Sequence, residues 1–185
     1  MTFETKRLIL RPWKESDAES LYEYAKDPRV GPEAGWPIHT SVENSRTIIK
    51  EVLSTPGTYA LILKENDKVI GSVGVMPTRA CHPDVKAFEL EIGYWIGVPF
   101  WGMGLVPEAV ECLVNHCFLD MNCPGIWCGY YDGNEKSKRV QEKCGFTFHH
   151  SEINKPRALM MDRCTEHYTY LSKVVWETKF NNINN

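Results

Sequence analysis

The sequence carries no excess of positive charge. Its 21 Lys and Arg stand against 24 Asp and Glu, a formal net charge of -3. A basic stripe able to neutralise phosphates along a polymer is missing, so nucleic acid is not an expected partner. Long apolar runs are also missing. Nothing approaches the ~18 residues that a membrane-spanning helix needs, and "MTFETKRLIL" lacks the layout of a signal peptide. No membrane partner is expected. Nor do the cysteines pair off. There are seven, at irregular spacing and without a C-x-x-C, which points to reduced thiols in a cytoplasmic protein. Cys81-His82, and His116-Cys117 with Cys123, lack the usual spacing of zinc ligands, so no metal is expected.

What is present reads as one mixed α/β domain over residues 1–180, with "NNINN" (181–185) as a disordered tail. Hydrophobic residues make up 43% of the chain and charged residues 24%, ordinary for a globular protein. "KRLILRPW" reads as a first strand. A helix follows over "SDAESLYEYAKDP", with Ser16 and Glu19 as a capping box. A second helix is expected from Ser41 to Ser54, with Thr40 and Glu43 as its box. "TYALILKENDKVIGSVGVM" reads as a hairpin turning at Glu65–Asp67. "AFELEIGYWI" is the fourth strand, with Phe88, Leu90, Ile92, Tyr94 and Ile96 on one face and Glu89 and Glu91 on the other. "GIWCGYY" is the fifth. A short helix over "NEKSKRVQEKC" stops at Gly145, and "FTFHHSEI" and "EHYTYLSKVVWE" close the chain as strands.

Between the fourth strand and a helix lies "PFWGMGLVPEAV". A Gly-x-Gly turn at a strand-to-helix junction brings backbone N–H groups and the positive end of a helix to one place, which suits an anion. A dinucleotide loop would need a third glycine where Pro107 stands. A Walker A loop would need a lysine that is absent. Pro107 suits the first position of the helix, whose core stripe is Val110, Leu113, Val114 and Cys117.

"EIGYWIGVPFWGMGLVPEAV", followed by "NEKSKRVQEKCGF" and preceded by "ETKRLILRPWKESDAESLY", resembles the GNAT superfamily of acetyl-CoA-dependent N-acetyltransferases, and within it the branch of ribosomal-protein N-terminal acetyltransferases. The resemblance covers nearly the whole chain. It implies a single mixed, mostly antiparallel sheet of about seven strands, flanked by about four helices and splayed between strands 4 and 5. It places the pyrophosphate loop of coenzyme A on Trp101, Gly102, Met103, Gly104, Leu105 and Val106. Two of these depart from the general Q/R-x-x-G-x-G/A pattern, Trp101 at the first position and Val106 at the last. The pantetheine arm would lie along the edge formed by Trp95, Ile96, Gly97 and Val98, with a hydrogen bond from Asn134.

Acetyl transfer to an amine needs a base for the ammonium, donors for the carbonyl oxygen, and help for the departing thiolate. Glu91, ahead of Glu89, is the candidate base. The tyrosine that many superfamily members use as an acid is replaced here by Gln141. Ser137, one helical turn after Asn134, is the candidate for the thiolate. Trp36, Trp127, Tyr130 and Tyr131 are read as packing residues in the main, and His149 and His150 as bystanders. The expected reaction is direct attack in a ternary complex, with acetyl-CoA as cosubstrate. The amine would belong to a protein N-terminus, polyamine, amino sugar or metabolite. The alternative is a non-catalytic acyl-CoA-binding sensor or scaffold. A homodimer stays open as an assembly.

Overall fold

The computed structural model describes residues 1–183. Of the tail expected to be disordered, Asn184 and Asn185 lie outside the described residues. Eight strands form one sheet: β1 (Phe3–Glu4), β2 (Leu8–Arg11), β3 (Thr58–Leu63), β4 (Lys68–Pro77), β5 (Leu90–Ile96), β6 (Gly125–Tyr131), β7 (Thr147–Arg157) and β8 (Asp162–Ser172). Their order is β1-β2-β3-β4-β5-β6-β8-β7. Every neighbouring pair is antiparallel except β5 and β6. The helices are α1 (Ala18–Ala25), α2 (Gly31–Ala34), α3 (Val42–Ile48, continued as a wider coil through Leu53), α4 (Leu105–Leu119), α5 (Glu135–Lys143) and α6 (Lys173–Ile183).

The mixed, mostly antiparallel architecture is the expected one, with additions at places of weak pattern. β1 is only two residues long. The one-turn α2 sits in a Gly/Pro-rich segment read as loop. α6 takes over "KVVWE", which alternates too poorly to continue β8. Phe88 does not share the face of β5: it lies before the strand at φ 67° and is exposed. α4 starts at Leu105, two residues ahead of Pro107, which sits within the first turn where its missing N–H costs nothing. The caps also shift. Asp17 accepts the Lys14 N–H at 2.9 Å ahead of α1, and Ser41, not Thr40, accepts the Asn44 N–H at 3.0 Å to start α3.

Both faces of the sheet are covered. α4 lays Leu105, Ala109, Val110, Leu113, Val114 and Cys117 against Leu8, Leu61, Ile70, Ile92 and Ile126. On the opposite face Leu21 and Ala25 of α1 pack with Ile49 against Ala60, Ile62 and Val69. Each fully buried Leu or Ile contributes about 1.5–3 kcal/mol, so the two layers hold the sheet centre rigid.

That rigidity matters because β5 and β6 part company. They pair only at Leu90–Ile126 and Glu91–Trp127. Parallel strands that begin side by side and then diverge leave unpaired backbone in the gap, which calls for a ligand or water. No helix among the described residues is long and apolar enough to cross a membrane.

Candidate active site

The gap opens into a cavity of about 350 Å³. The turn into α4 forms one wall. Gly102 and Gly104 hold φ of 76° and 73°, the left-handed region that other residues enter at a cost. A Cβ would meet nothing within 4 Å at Gly102, so conformation rather than crowding calls for glycine there. Arg7 pins this turn from outside. Its guanidinium donates to the Met103 carbonyl at 2.8 Å and to Glu108 at 2.7 Å. With that carbonyl turned away, the amides of Gly102, Met103 and Gly104 donate to no group of the chain among the described residues. The opposite wall is α5. Lys136, Arg139 and Lys143 line the cavity at helical spacing, and Lys136 Nζ stands 3.9 Å over the Trp101 ring. Free amides, a helix N-terminus and three cations make a built anion site.

The edge of β5 can be read from its neighbours. The Ile92 carbonyl accepts from Cys128 Sγ at 3.2 Å and the Ile96 carbonyl from Trp101 Nε1 at 3.0 Å, both on the β6 side. Polar groups alternate along a strand, so Tyr94 presents its N–H and C=O to the gap. Gly97 does not, because its N–H donates to Ile70 on β4 at 2.9 Å. Of the expected edge of Trp95 to Val98, Ile96 therefore keeps its N–H on the gap side, and the edge extends back to Tyr94. Val98 already belongs to a 3₁₀ turn, and Trp95 packs against Trp13 and Trp36 on the far face.

Across the gap, Ser137 sits in a network with a fixed direction. Thr169 donates to Gln141 Oε1 at 2.8 Å, so the Gln141 amide nitrogen is the end that meets the Gly129 carbonyl (3.0 Å) and Ser137 Oγ (3.2 Å). Tyr94 reaches Ser137 from β5, its hydroxyl 2.9 Å from Oγ and 3.1 Å from the Ser137 carbonyl. Burial pushes the Tyr94 hydroxyl far above its ordinary pKa, and a neighbouring Cys128 adds to the rise. Tyr94 therefore stays a neutral phenol at physiological pH.

Three carboxylates line the cavity, Glu33 exposed and Glu91 and Glu166 buried, and the two buried ones differ in what they have free. Glu91 is 2% exposed. It accepts from the Arg79 backbone (2.7 Å), Arg79 Nη2 (2.6 Å), Arg79 Nε (3.1 Å) and Thr78 (3.3 Å). A carboxylate has about four acceptor sites, so none is left for an amine. Burial opposes the Arg79 charge, but Glu91 overcomes it and holds the guanidinium protonated. Glu89 lies outside the cavity lining and is held by Trp127, Tyr170 and the Lys86 N–H. Glu166 on β8 is the other buried carboxylate of the cavity. Its Oε2 accepts from Lys155 at 2.8 Å and Tyr168 at 3.1 Å. Its Oε1 lies against Gly129, where a Cβ would come within 2.6 Å, and accepts from no donor of the chain among the described residues.

The cavity thus gathers Glu91, Trp95, Ile96, Trp101, Gly102, Gly104, Leu105, Val106, Asn134 and Ser137 from the expected set. Gly97, Val98 and Met103 stand outside its lining. Asn134 caps α5 by accepting the Ser137 N–H at 3.1 Å and donates to the Glu33 carbonyl at 3.3 Å, tying α2 across the mouth. Tyr130 and Tyr131 line the cavity, whereas Trp127 is buried elsewhere. Sequence reasoning missed Tyr94, Glu166 and the α5 cations. Only the cations had a signal, their spacing of three and four.

Residues 7–147 match the acetyltransferase (GNAT) domain family. The uncharacterized N-acetyltransferase p20 of Bacillus licheniformis is 34% identical over 150 residues, covering 78% of this chain and 82% of that protein. Among solved structures, a GNAT-family acetyltransferase from Bacillus anthracis superposes with a TM-score of 0.80 at 20% identity, over 94% of this chain and 99% of that one. The ribosomal-protein-S5-alanine acetyltransferase of Vibrio fischeri superposes at 0.68 with 20% identity, over 94% and 97%. The chain belongs to the GNAT family of acetyl-CoA-dependent N-acetyltransferases.

Proposed function

We propose that this acetyltransferase acts on the primary amine of a protein N-terminus, within a single catalytic domain over residues 1–180. The observation that carries the reading is the division of one cavity into an anion site, an open strand edge and a carboxylate with one oxygen free. Acetyl-CoA supplies an acetyl group already activated as a thioester. The amides from Gly102 to Val106, with Lys136, Arg139 and Lys143, would hold its phosphates. The Tyr94 edge would hold the pantetheine arm and donate to the thioester oxygen.

Glu166 Oε1 would receive the ammonium and take its proton. The amine nitrogen then bonds to the acetyl carbon as the carbon–sulfur bond breaks. Ser137 Oγ–H donates to the departing sulfur and is reprotonated by the second proton that the nitrogen sheds on forming the amide, so that coenzyme A leaves as a thiol. This assignment moves the base from Glu91 to Glu166, and leaves Glu91 to position Arg79. The ribosomal-protein-S5-alanine acetyltransferase among the fold neighbours favours an N-terminal acceptor over a polyamine or amino sugar, and so does a mouth crossed by α2 and lined by Tyr130 and Tyr131. Seven free thiols fit a reducing compartment, the cytoplasm.

The test is coenzyme A release from acetyl-CoA with a panel of N-terminal peptides, polyamines, amino sugars and free lysine. Turnover on the peptides at the highest kcat/KM is the expected result. Preference for a polyamine or sugar overturns the acceptor. Tight acetyl-CoA binding without release on any amine leaves the acyl-CoA-binding module.

A further inference from the structure

Three of the six histidines meet outside the cavity. His82 lies in the loop from β4 to β5, and His149 and His150 on β7. Adjacent strand residues ordinarily point to opposite faces. Here the register of β7 with β8 shifts between Phe148 and His150. His149 is the extra residue of that bulge, and the bulge brings both rings to one place. Each of the three imidazoles offers a nitrogen within 4.8 Å of the other two.

The two β7 rings face each other through Nδ1 at 2.9 Å. Two neutral imidazoles in that arrangement need one proton between them or a shared cation. Two nitrogens on one tetrahedral zinc, at 2.0–2.1 Å each, stand about 3.3 Å apart. The remaining nitrogens face carboxylates. Asp84 Oδ2 is 3.4 Å from His149 Nε2 and 3.5 Å from His82 Nδ1, which is also 3.3 Å from the Asp84 amide. His150 Nε2 is buried without a hydrogen-bond partner, 3.6 Å from Glu152 Oε1. Carboxylates beside the outer nitrogens of His149 and His150 are placed to orient those two rings toward a metal, whereas His82 Nδ1 accepts the Asp84 N–H. The rings are also packed in place: Trp127 stands 4.8 Å from His149, and Tyr168 stacks on His150 at 5.2 Å.

We propose that His82, His149 and His150 bind one divalent transition-metal ion of the zinc class, with the fourth position open to solvent. Imidazole ligands favour zinc, nickel or copper over calcium or magnesium. The ion would clip the β4–β5 loop to β7. That loop is already tied there by the Cys81 N–H, which donates to Glu152 at 2.7 Å, and it carries Arg79, the partner of Glu91.

The experiment uses the full chain without a histidine tag, stripped with EDTA and dialysed. Zn²⁺ is titrated by calorimetry and Co²⁺ by visible absorption. The expected result is one ion per chain, a raised Tm, and the intense Co²⁺ bands of a four-coordinate site. His82→Ala, on a partly exposed loop, should keep the metal-free Tm and lose about ten- to a hundredfold or more in affinity. His150→Ala should do the same where it folds. Cys81→Ser and His167→Ala should bind as wild type. The proposal is overturned by a wild-type chain that takes up no ion at micromolar Zn²⁺, or by uptake that His82→Ala leaves unchanged.

Discussion

Gln141 Nε2 donates to Ser137 Oγ at 3.2 Å, and its orientation is fixed from behind by Thr169 at 2.8 Å. A hydroxyl that accepts from an amide has its own proton to give, here shared between the gap and the Tyr94 oxygen 2.9 Å away. The glutamine at the position where many relatives carry tyrosine thereby acts through Ser137, turning it into a donor aimed at the gap. Ser137→Ala should lower kcat by about tenfold or more, with the KM for acetyl-CoA changed far less. Initial rates at saturating amine check this. An equal rise in KM and no change in kcat would make Ser137 a binding contact only.

Gln141→Leu removes the orienting donor and leaves the Gly129 carbonyl unpaired in a buried place, while the Thr169 hydroxyl keeps the Cys128 carbonyl at 3.2 Å. The loss should be about 1–3 kcal/mol of stability, read by urea unfolding. A concurrent fall in kcat, restored in part by Gln141→Asn but not by Gln141→Ala, would separate orientation from stability.

Glu166 and Glu91 make opposite predictions. Glu166→Gln should cut kcat/KM for the amine by about a hundredfold and flatten the rise of rate with pH. Glu91→Gln leaves the Arg79 charge without its counterpart, so it should lower stability first. Any loss of rate should follow Arg79→Gln, in the same direction. A pH–rate profile altered by Glu91→Gln and untouched by Glu166→Gln would return the base to Glu91.

The difference between those two carboxylates was not legible in the sequence. Alternation put Glu89 and Glu91 on one face of a strand, but β5 begins only at Leu90, and a face does not say which donors converge on it. Arg79 arrives from an irregular loop, and Glu166 from a strand at the far side of the sheet. The Gly-x-Gly turn was legible because it is local: two glycines, a strand before and a helix after. β1 and α2 were not, since two to four residues give no period. The extension of the open edge back to Tyr94 depends on which strand neighbour takes each carbonyl, and that is a property of pairing rather than composition. The same holds for the three histidines, whose meeting needs a bulge.

The anion site separates backbone from side-chain contributions. Gly102→Ala meets no neighbour, so its effect comes from the left-handed φ alone, about 1 kcal/mol or more of strain. Lys136→Glu and Arg139→Glu reverse charge without touching the turn. Each should raise the KM for acetyl-CoA, more at low ionic strength than at high, because exposed charges are screened. The salt dependence of KM is the measurement. A KM for Lys136→Glu equal to wild type at low salt would remove α5 from the site.

Arg7 and Glu108 link the N-terminal strand to that turn. Burial alone would raise the Glu108 carboxyl, but Thr5 and Arg7 outweigh it and hold the group below its ordinary range. A carboxylate depressed on folding contributes stability that is complete above its unfolded value, about 4.3. That stability is lost as pH falls through the lower folded value. Glu108→Gln should therefore be less stable than wild type at neutral pH, and the gap should narrow in acid. Arg7→Ala should add a raised KM for acetyl-CoA, because the Met103 carbonyl is released. Thermal unfolding at pH 7 and pH 4 reads the first effect, and a gap that widens in acid would refute it.

The thiols give the last prediction. Burial pushes Cys117 and Cys144 up to about 12, with Cys123 raising Cys117 further and Glu111 raising Cys144. Cys128 is raised well above its ordinary value by the same burial. Only the thiolate attacks a disulfide reagent, so these three are inert in the folded chain at pH 8. Cys81 is exposed. Native protein should show one fast-reacting thiol with an aromatic disulfide reagent, and all seven after denaturation. Cys81→Ser should remove the fast phase and leave acetyl transfer intact. A second fast thiol that persists in Cys112→Ser and in Cys164→Ser, the partly buried pair outside the three inert thiols, would mean that the packing between α4 and the sheet opens on the assay timescale.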